Sequence, residues 1–366
     1  MVASSAGQSL ACGRFDEAAK LPSEGTSTMT FLFDSATRAQ VLEELTNKMS
    51  AHYVFPDRAA VLNEYLYSRQ ASGAYDALQK PPDFCHQLTV DLQHISRDRH
   101  LVVLWRPEAR LGDNATEGER QQAEQAGRQQ KAVQNYGFQK VEILAGNVGL
   151  IRLSSFHDPV VAGDTLTAVM RFVSHTHALI FDVRNNMGGD GRMVILICSF
   201  LCPGNEWELS GVYSRKVGKL EPTWTMPYVP GPYYTNRPVY VVTGPLTFSA
   251  GELLAYDLQA LKRASVIGEV TGGAAHGADW HELPHGCDVL ISYSAPTNPI
   301  TGGNWEAVGV QPDIRVPEAD ALRVAHQTAL QAILDTPTLG GPDVELWKEA
   351  FRGEVEAALK SLEKDE

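Results

Sequence analysis

From residue 136 to about 320, two kinds of apolar pattern alternate along the chain. "ALIFDVRNN" and "RPVYVVTG" carry short, unbroken apolar runs, closed by asparagine or glycine. "GDTLTAVMRFVSH", "GRMVILICSFL" and "SAGELLAYDLQAL" instead repeat their apolar residues every three or four positions. The first kind suits a strand buried on both faces, and the second an amphipathic helix. Their alternation predicts an α/β fold, a mostly parallel sheet covered by helices on at least one face. "VEILAGNVGLIRLSSF" adds two strands around a Gly-Asn turn, and "ASVIGEV" and "DVLISYSAPTNP" add one each.

Upstream, helical spacing runs from "DSATRAQVLEELTNKMSAHYV" to "DFCHQLTVDLQHI", with Asp34 or Ser35 as the first cap. Pro56, Pro81 and Pro82 divide it. A small helical domain is expected over residues 31–108, ending in the strand "HLVVLWRP". Segment 109–135 is polar and Gln-rich, too poor in large apolar groups for a core, and reads as a linker, lid or solvated helix. Residues 1–30 are small and polar and read as a flexible terminus. Residues 136–320 form the main domain, and two helices close the chain over 321–366, the last one amphipathic.

Composition narrows the function classes. A chain of 366 residues is long enough for a substantial core. Its net charge of −13 repels phosphate surfaces, which argues against a general nucleic-acid or anionic-membrane binder. No run of 18 apolar residues is present, so no membrane span is expected. The five cysteines (Cys12, Cys85, Cys198, Cys202, Cys287) are scattered and imply no disulfide framework. Cys198 and Cys202, one helical turn apart, are expected as buried thiols. The opening residues lack the basic and apolar regions of a secretory signal, so a cytoplasmic location is the expectation.

Candidate chemistry begins at "VVTGPLTFSAGE", where a buried strand passes into a helix at Ser249. Ser249-Ala250-Gly251-Glu252 fits a capping box, and on this stretch alone capping is the simpler role. Thr247 replaces the first glycine of G-x-S-x-G, so an α/β-hydrolase elbow is not indicated. A serine at a helix N-terminus nevertheless sits in positive potential, with the Ala250 N–H available to an oxyanion. A nucleophile further needs a base, an orienter and a second donor.

Four stretches in fixed order supply candidates: "LQHISRDRHLVVLWRP", "ALIFDVRNNMGGDG", "VVTGPLTFSAGELLAYDLQ" followed by "GEVTGGAAH", and "NWEAVGVQPDI". Together they resemble the carboxyl-terminal processing and tricorn-type serine peptidases, nearest the branch of interphotoreceptor retinoid-binding protein. The resemblance covers roughly residues 35–320. It implies a ClpP/crotonase-like ββα-spiral core behind a small N-terminal helical domain. It places the nucleophile at Ser249 and the oxyanion hole at Gly188, Gly189 and Ala250. The lysine of the family's T-x-G-K stretch is replaced by Ala274, which rules out a Ser-Lys dyad there. The tricorn-type arrangement instead implies His100 of "DRHL" as base and Glu306 of "WEAVGVQPD" as its orienter. His276 is a substitute base or substrate contact, and Thr271 and Asn186 are secondary contacts.

"HELPH" (residues 281–285) matches the zinc-protease string, but Pro284 and its loop-like neighbours break the helix that string requires. No metal and no cofactor are therefore expected. The aromatic, proline-rich segment around Trp224 to Tyr234 and segment 109–135 are the parts free to cover the cleft, with a packed surface loop as the alternative for the first. About thirty residues separate the "DRHL" strand from Tyr136, too few for a peptide-tethering PDZ domain. The expected substrate is a short peptide or small apolar acyl compound, hydrolysed through an acyl-enzyme at Ser249. Two alternatives stand beside hydrolysis: a non-catalytic carrier of lipophilic ligands, and a non-hydrolytic enzyme that reuses the oxyanion hole.

Overall fold

The computed structural model describes residues 31–107, 116–204, 206–335 and 345–363. The terminus read as flexible (1–30) and residues 109–115 of the polar segment lie outside the described residues. Three helices come first: α1 (Ser35–His52), α2 (Pro56–Ala71) and α3 (Pro81–Ser96). The Asp34 carboxylate accepts from the Thr37 N–H at 2.7 Å and starts α1. Proline opens the first turn of both α2 and α3, where its missing N–H costs nothing. Arg97, left-handed at φ 62°, terminates α3 and turns the chain into β1 (Val102–Trp105).

β1 belongs to an antiparallel sheet. β10 (Cys287–Thr297) lies between β1 and β5 (Glu208–Ser214), β6 (Lys219–Trp224) pairs with β5, and β9 (Gly277–Glu282) pairs with β10. Val41, Leu45, Leu62, Leu66, Phe84 and Leu88 of the three helices form one core with Val289 and Ile291 of β10. This packing carries the Arg97–His100 turn to the rest of the molecule.

The second sheet has six strands, in the order β11 (Ile314–Arg315), β8 (Ser265–Gly268), β7 (Val239–Thr243), β4 (Ala178–Asp182), β3 (Val148–Leu153), β2 (Phe138–Leu144). Every pair is parallel except β2 with β3. α5 (Pro159–Phe172), α6 (Gly191–Leu201) and α7 (Ala250–Ala260) cover one face. α8 (Glu318–Asp335) and α9 (Glu345–Glu363) cover the other. All ten residues of β4 and β7 are buried, which explains their unbroken apolar runs. The α/β class and helical N-terminal region expected from sequence are therefore what the chain adopts. α4 (Glu117–Val133), opened by a Thr116–Glu119 capping box, buries none of its residues.

The middle of β4 offers a test of this packing. Phe181 is fully buried, and Phe181→Ala should cost about 3–5 kcal/mol through lost burial and a residual cavity. Denaturant unfolding measures this, and a loss below about 1 kcal/mol would contradict the packing described.

Candidate active site

β7 and α7 are joined by a tight elbow. Thr247 braces it, its hydroxyl donating to the Val183 carbonyl (2.8 Å) and accepting from the Gly244 N–H (3.0 Å). Ser249 follows at φ 52°, ψ −118°, a conformation that costs a non-glycine residue about 1–3 kcal/mol. The strained strand-to-helix turn is thus present without the G-x-S-x-G glycines. The capping-box pair is in place, yet no hydrogen bond of ordinary geometry holds the Ser249 hydroxyl as a cap. The Glu252 N–H, which a cap would take, donates to the Ser249 carbonyl at 2.9 Å.

Glu252 has a larger part than a cap. Its buried carboxylate accepts from the N–H groups of Ser249 (2.9 Å), Gly273 (2.6 Å) and Ala274 (2.9 Å), and from the Thr271 hydroxyl (2.6 Å). Burial pushes its pKa up to about 7 against these four donors. Thr271 therefore serves structure, locking the loop that leads to His276, with its oxygen also taking the Val310 N–H. Ala274, standing where a lysine was sought, is fully buried beside this carboxylate.

The glycine turn lies directly against the elbow. A Cβ on Gly188 would meet the Ser249 Cβ at 2.7 Å, and one on Gly189 the Phe156 carbonyl at 2.0 Å. Both glycines have positive φ, 93° and 129°. Gly188, expected as an oxyanion donor, gives its N–H to the Asn186 Oδ1 at 2.8 Å. That corrects the expectation: the N–H groups of Gly189 and Ala250 are the ones that no hydrogen bond among the described residues takes. Asn186, expected as a secondary contact, shapes the turn, its amide also donating to the Leu153 carbonyl. Gly189→Ala should lower kcat at least about 100-fold with KM nearly unchanged, since it moves a donor used in the transition state. An unchanged kcat would remove Gly189 from the hole.

The histidines are arranged differently from the expected His100–Glu306 pair. His276 points Nδ1 at the Asp98 Oδ2 (2.8 Å), and the Glu306 Oε2 lies 3.6 Å from the same nitrogen while accepting from the Ala275 N–H. Asp98 Oδ1 accepts the His100 backbone N–H at 3.0 Å, so this carboxylate serves both histidines without reaching the His100 ring. His100 Nδ1 is buried with no hydrogen-bond partner, and its ring packs 5.0 Å from that of Phe248. Burial lowers the His100 pKa to about 4. Burial also works against a charged His276, but the hydrogen bond and charge of Asp98, helped by Glu306, raise its pKa above 6.5. Glu306 is pushed up to about 7 by burial and by the charge of Asp98. Asp98 was missed in the sequence; an aspartate two residues before a candidate base is a signal that turn chemistry alone could explain.

His100, His276, Ser249, Ala250 and Gly189 all line one cavity of about 920 Å³. Its further walls include Trp280 and Tyr293 of the antiparallel sheet. Two aromatics of the segment free to cover it lie elsewhere: Tyr234 is in the core with its hydroxyl at Thr176, and Tyr228 lines a separate hollow. The two histidines of "HELPH" do not share a helix face. His281, in β9, stacks on His52 at 4.2 Å, and the His285 Nε2 meets the Gln40 Oε1 at 2.6 Å. Among the described residues, Asp98, His276 and Glu306 are the group with metal-ligand spacing, and there Nδ1 already pairs with Asp98.

Comparison with known proteins places the fold and its sequence among relatives. Residues 147–316 match the model of peptidase family S41, and residues 33–140 match the N-terminal domain of Peptidase_S41 in eukaryotic IRBP. A carboxyl-terminal-processing protease of Synechocystis sp. is 29% identical over 207 residues. That match takes in 53% of this chain and 44% of the relative, so the chain spans less than half the length of this curated relative. A solved structure from Parabacteroides merdae with a provisional peptidase description shares the fold at a TM-score of 0.52 and 20% identity, covering 89% of this chain and 96% of that one. The tricorn protease does so at 0.51 and 14%, covering 88% and 37%. No helix among the described residues is long and apolar enough to cross a membrane. With residues 33–140 and 147–316 matched by the models of its N-terminal and main domains, the chain belongs to peptidase family S41.

Proposed function

We propose that this peptidase cleaves short peptides through an acyl-enzyme on Ser249, with His100 as general base. The observation that carries the reading is the elbow: a strained serine whose hydroxyl is not spent as a cap, beside two untaken N–H groups. The Ser249 Oγ attacks the scissile carbonyl carbon while its proton passes to His100, and the oxyanion is held by the Gly189 and Ala250 N–H groups. Collapse expels the amine, which takes the proton from His100. Water then enters by the reverse sequence, releasing the acid and restoring Ser249. A neutral imidazole is the form His100 holds at pH 7, its pKa being about 4.

A second reading has its own observation. His276 is the ring that carboxylates hold, with Nδ1 on Asp98, and it lines the cavity it shares with Ser249. In that reading Asp98 orients the base, aided by Glu306.

Substrate size follows from the cavity. About 920 Å³, walled by Trp280, Tyr293, Leu209 and Leu253, accommodates a few residues of extended peptide or a compact apolar acyl group. A length series of chromogenic peptides should show kcat/KM rising to a plateau within a few residues, and folded proteins should resist. Efficient cleavage of an intact folded protein, with no turnover of short peptides, would overturn this substrate class. Activity should also persist after exhaustive chelation, because the proposed chemistry uses no metal; loss that zinc restores would contradict it.

A further inference from the structure

Two thiols remote from Ser249 are packed in contact. Cys85 of α3 and Cys287, the first residue of β10, bring their Sγ atoms to 3.4 Å. They are 202 positions apart in sequence, and their exposures are 1% and 0%. One lies in the N-terminal helices and the other in the antiparallel sheet, within the core that joins these two layers. Cys198 and Cys202 are also buried, but the hydrogen bond between them joins backbone atoms, the Cys202 N–H donating to the Cys198 carbonyl.

We propose that Cys85 and Cys287 form a disulfide that braces α3 against β10. The sulfurs already sit inside ordinary van der Waals separation, and a disulfide needs them to close to roughly 2.05 Å. Two thiols lose two protons and two electrons as the S–S bond forms. The oxidant is a low-molecular-weight disulfide of the glutathione type, whose own S–S bond breaks as it takes up both electrons and leaves as two thiols. The Cys287 contact and burial hold the Cys85 thiol far above its ordinary pKa, so docked Cys85 supplies little thiolate. Exchange therefore belongs to the moment before α3 docks, or to its opening, and the closed bond is shielded from reduction. The functional consequence is local. α3 runs directly into the turn bearing Asp98 and His100, and the brace ties the start of that helix to β10.

The test refolds the full chain from denaturant in a mixture of oxidised and reduced glutathione, quenches it, alkylates the remaining thiols and maps peptides without reduction. Before alkylation the expected product is lighter by about 2 Da than the reduced chain, and after it the map yields one linked peptide pair containing residues 85 and 287. Cys198 and Cys202 should carry the alkylating group. The oxidised protein should melt at higher temperature than the reduced one, and this difference should vanish in both Cys85→Ala and Cys287→Ala. Alkylation of both Cys85 and Cys287, or their linkage to other cysteines or to glutathione, would overturn the proposal.

Discussion

Ser249→Ala should abolish peptide hydrolysis, cutting kcat on the order of 10,000-fold or more, while leaving substrate affinity nearly intact. The size follows from losing the only atom that forms the acyl bond; the two N–H groups and the cavity remain and sustain binding alone. A stability signature accompanies it. Because position 249 sits at φ 52°, alanine keeps the strain that glycine releases. Ser249→Gly should therefore unfold at higher denaturant than Ser249→Ala, by about 1 kcal/mol. Equal stability of the two would mean that the elbow is relaxed, and residual activity in Ser249→Ala above about a hundredth of the parent would require another nucleophile.

The second large effect separates the two histidines. A general base works only when unprotonated, so activity is lost as pH falls through its pKa. With His100 as base, held near 4 by burial, the acid limb of kcat/KM should lie well below 6. With His276 as base, raised by Asp98, the limb should lie above 6.5. His100→Ala should accordingly reduce kcat about 1,000-fold or more, whereas His276→Gln should reduce it far less. An acid limb above 6.5 together with the larger loss in His276→Gln would transfer the base to His276 and make Asp98 its orienter. Glu306, itself near 7, lies in the same cluster; Glu306→Gln, which keeps size and removes the charge, shows whether a neutral-pH limb belongs to the carboxyl.

Much of the fold was legible because burial on both faces leaves a local trace. β4 and β7 read as unbroken apolar runs, and α5 to α7 as periodic ones. Prolines at the starts of α2 and α3 marked where helices begin. The Ser249 junction was visible for the same reason: a buried strand ends there and a helix starts. What could not be read is which side chains meet across long loops. Asp98 and His276 are 178 positions apart, and nothing local to either announces the 2.8 Å contact that draws Glu306 toward His276 instead of His100. The Gly188 N–H was likewise spent within its own turn, on Asn186, a geometric detail invisible in "DVRNNMGG". Trp280 and Tyr293 wall the cavity because β9 and β10 pair there, whereas the more conspicuous aromatics from Trp224 to Tyr234 are drawn away by packing of Tyr234 beneath Thr176.

The central claim is that the Ser249 hydroxyl is the nucleophile. Labelling the full chain with a fluorophosphonate and mapping the modified peptide tests it most directly, because the reagent records the reacting atom itself. A single phosphonyl group on Ser249, absent in Ser249→Ala and strongly slowed in Gly189→Ala, is the predicted result; no labelling of the folded chain, or labelling that persists on another residue in Ser249→Ala, would contradict it.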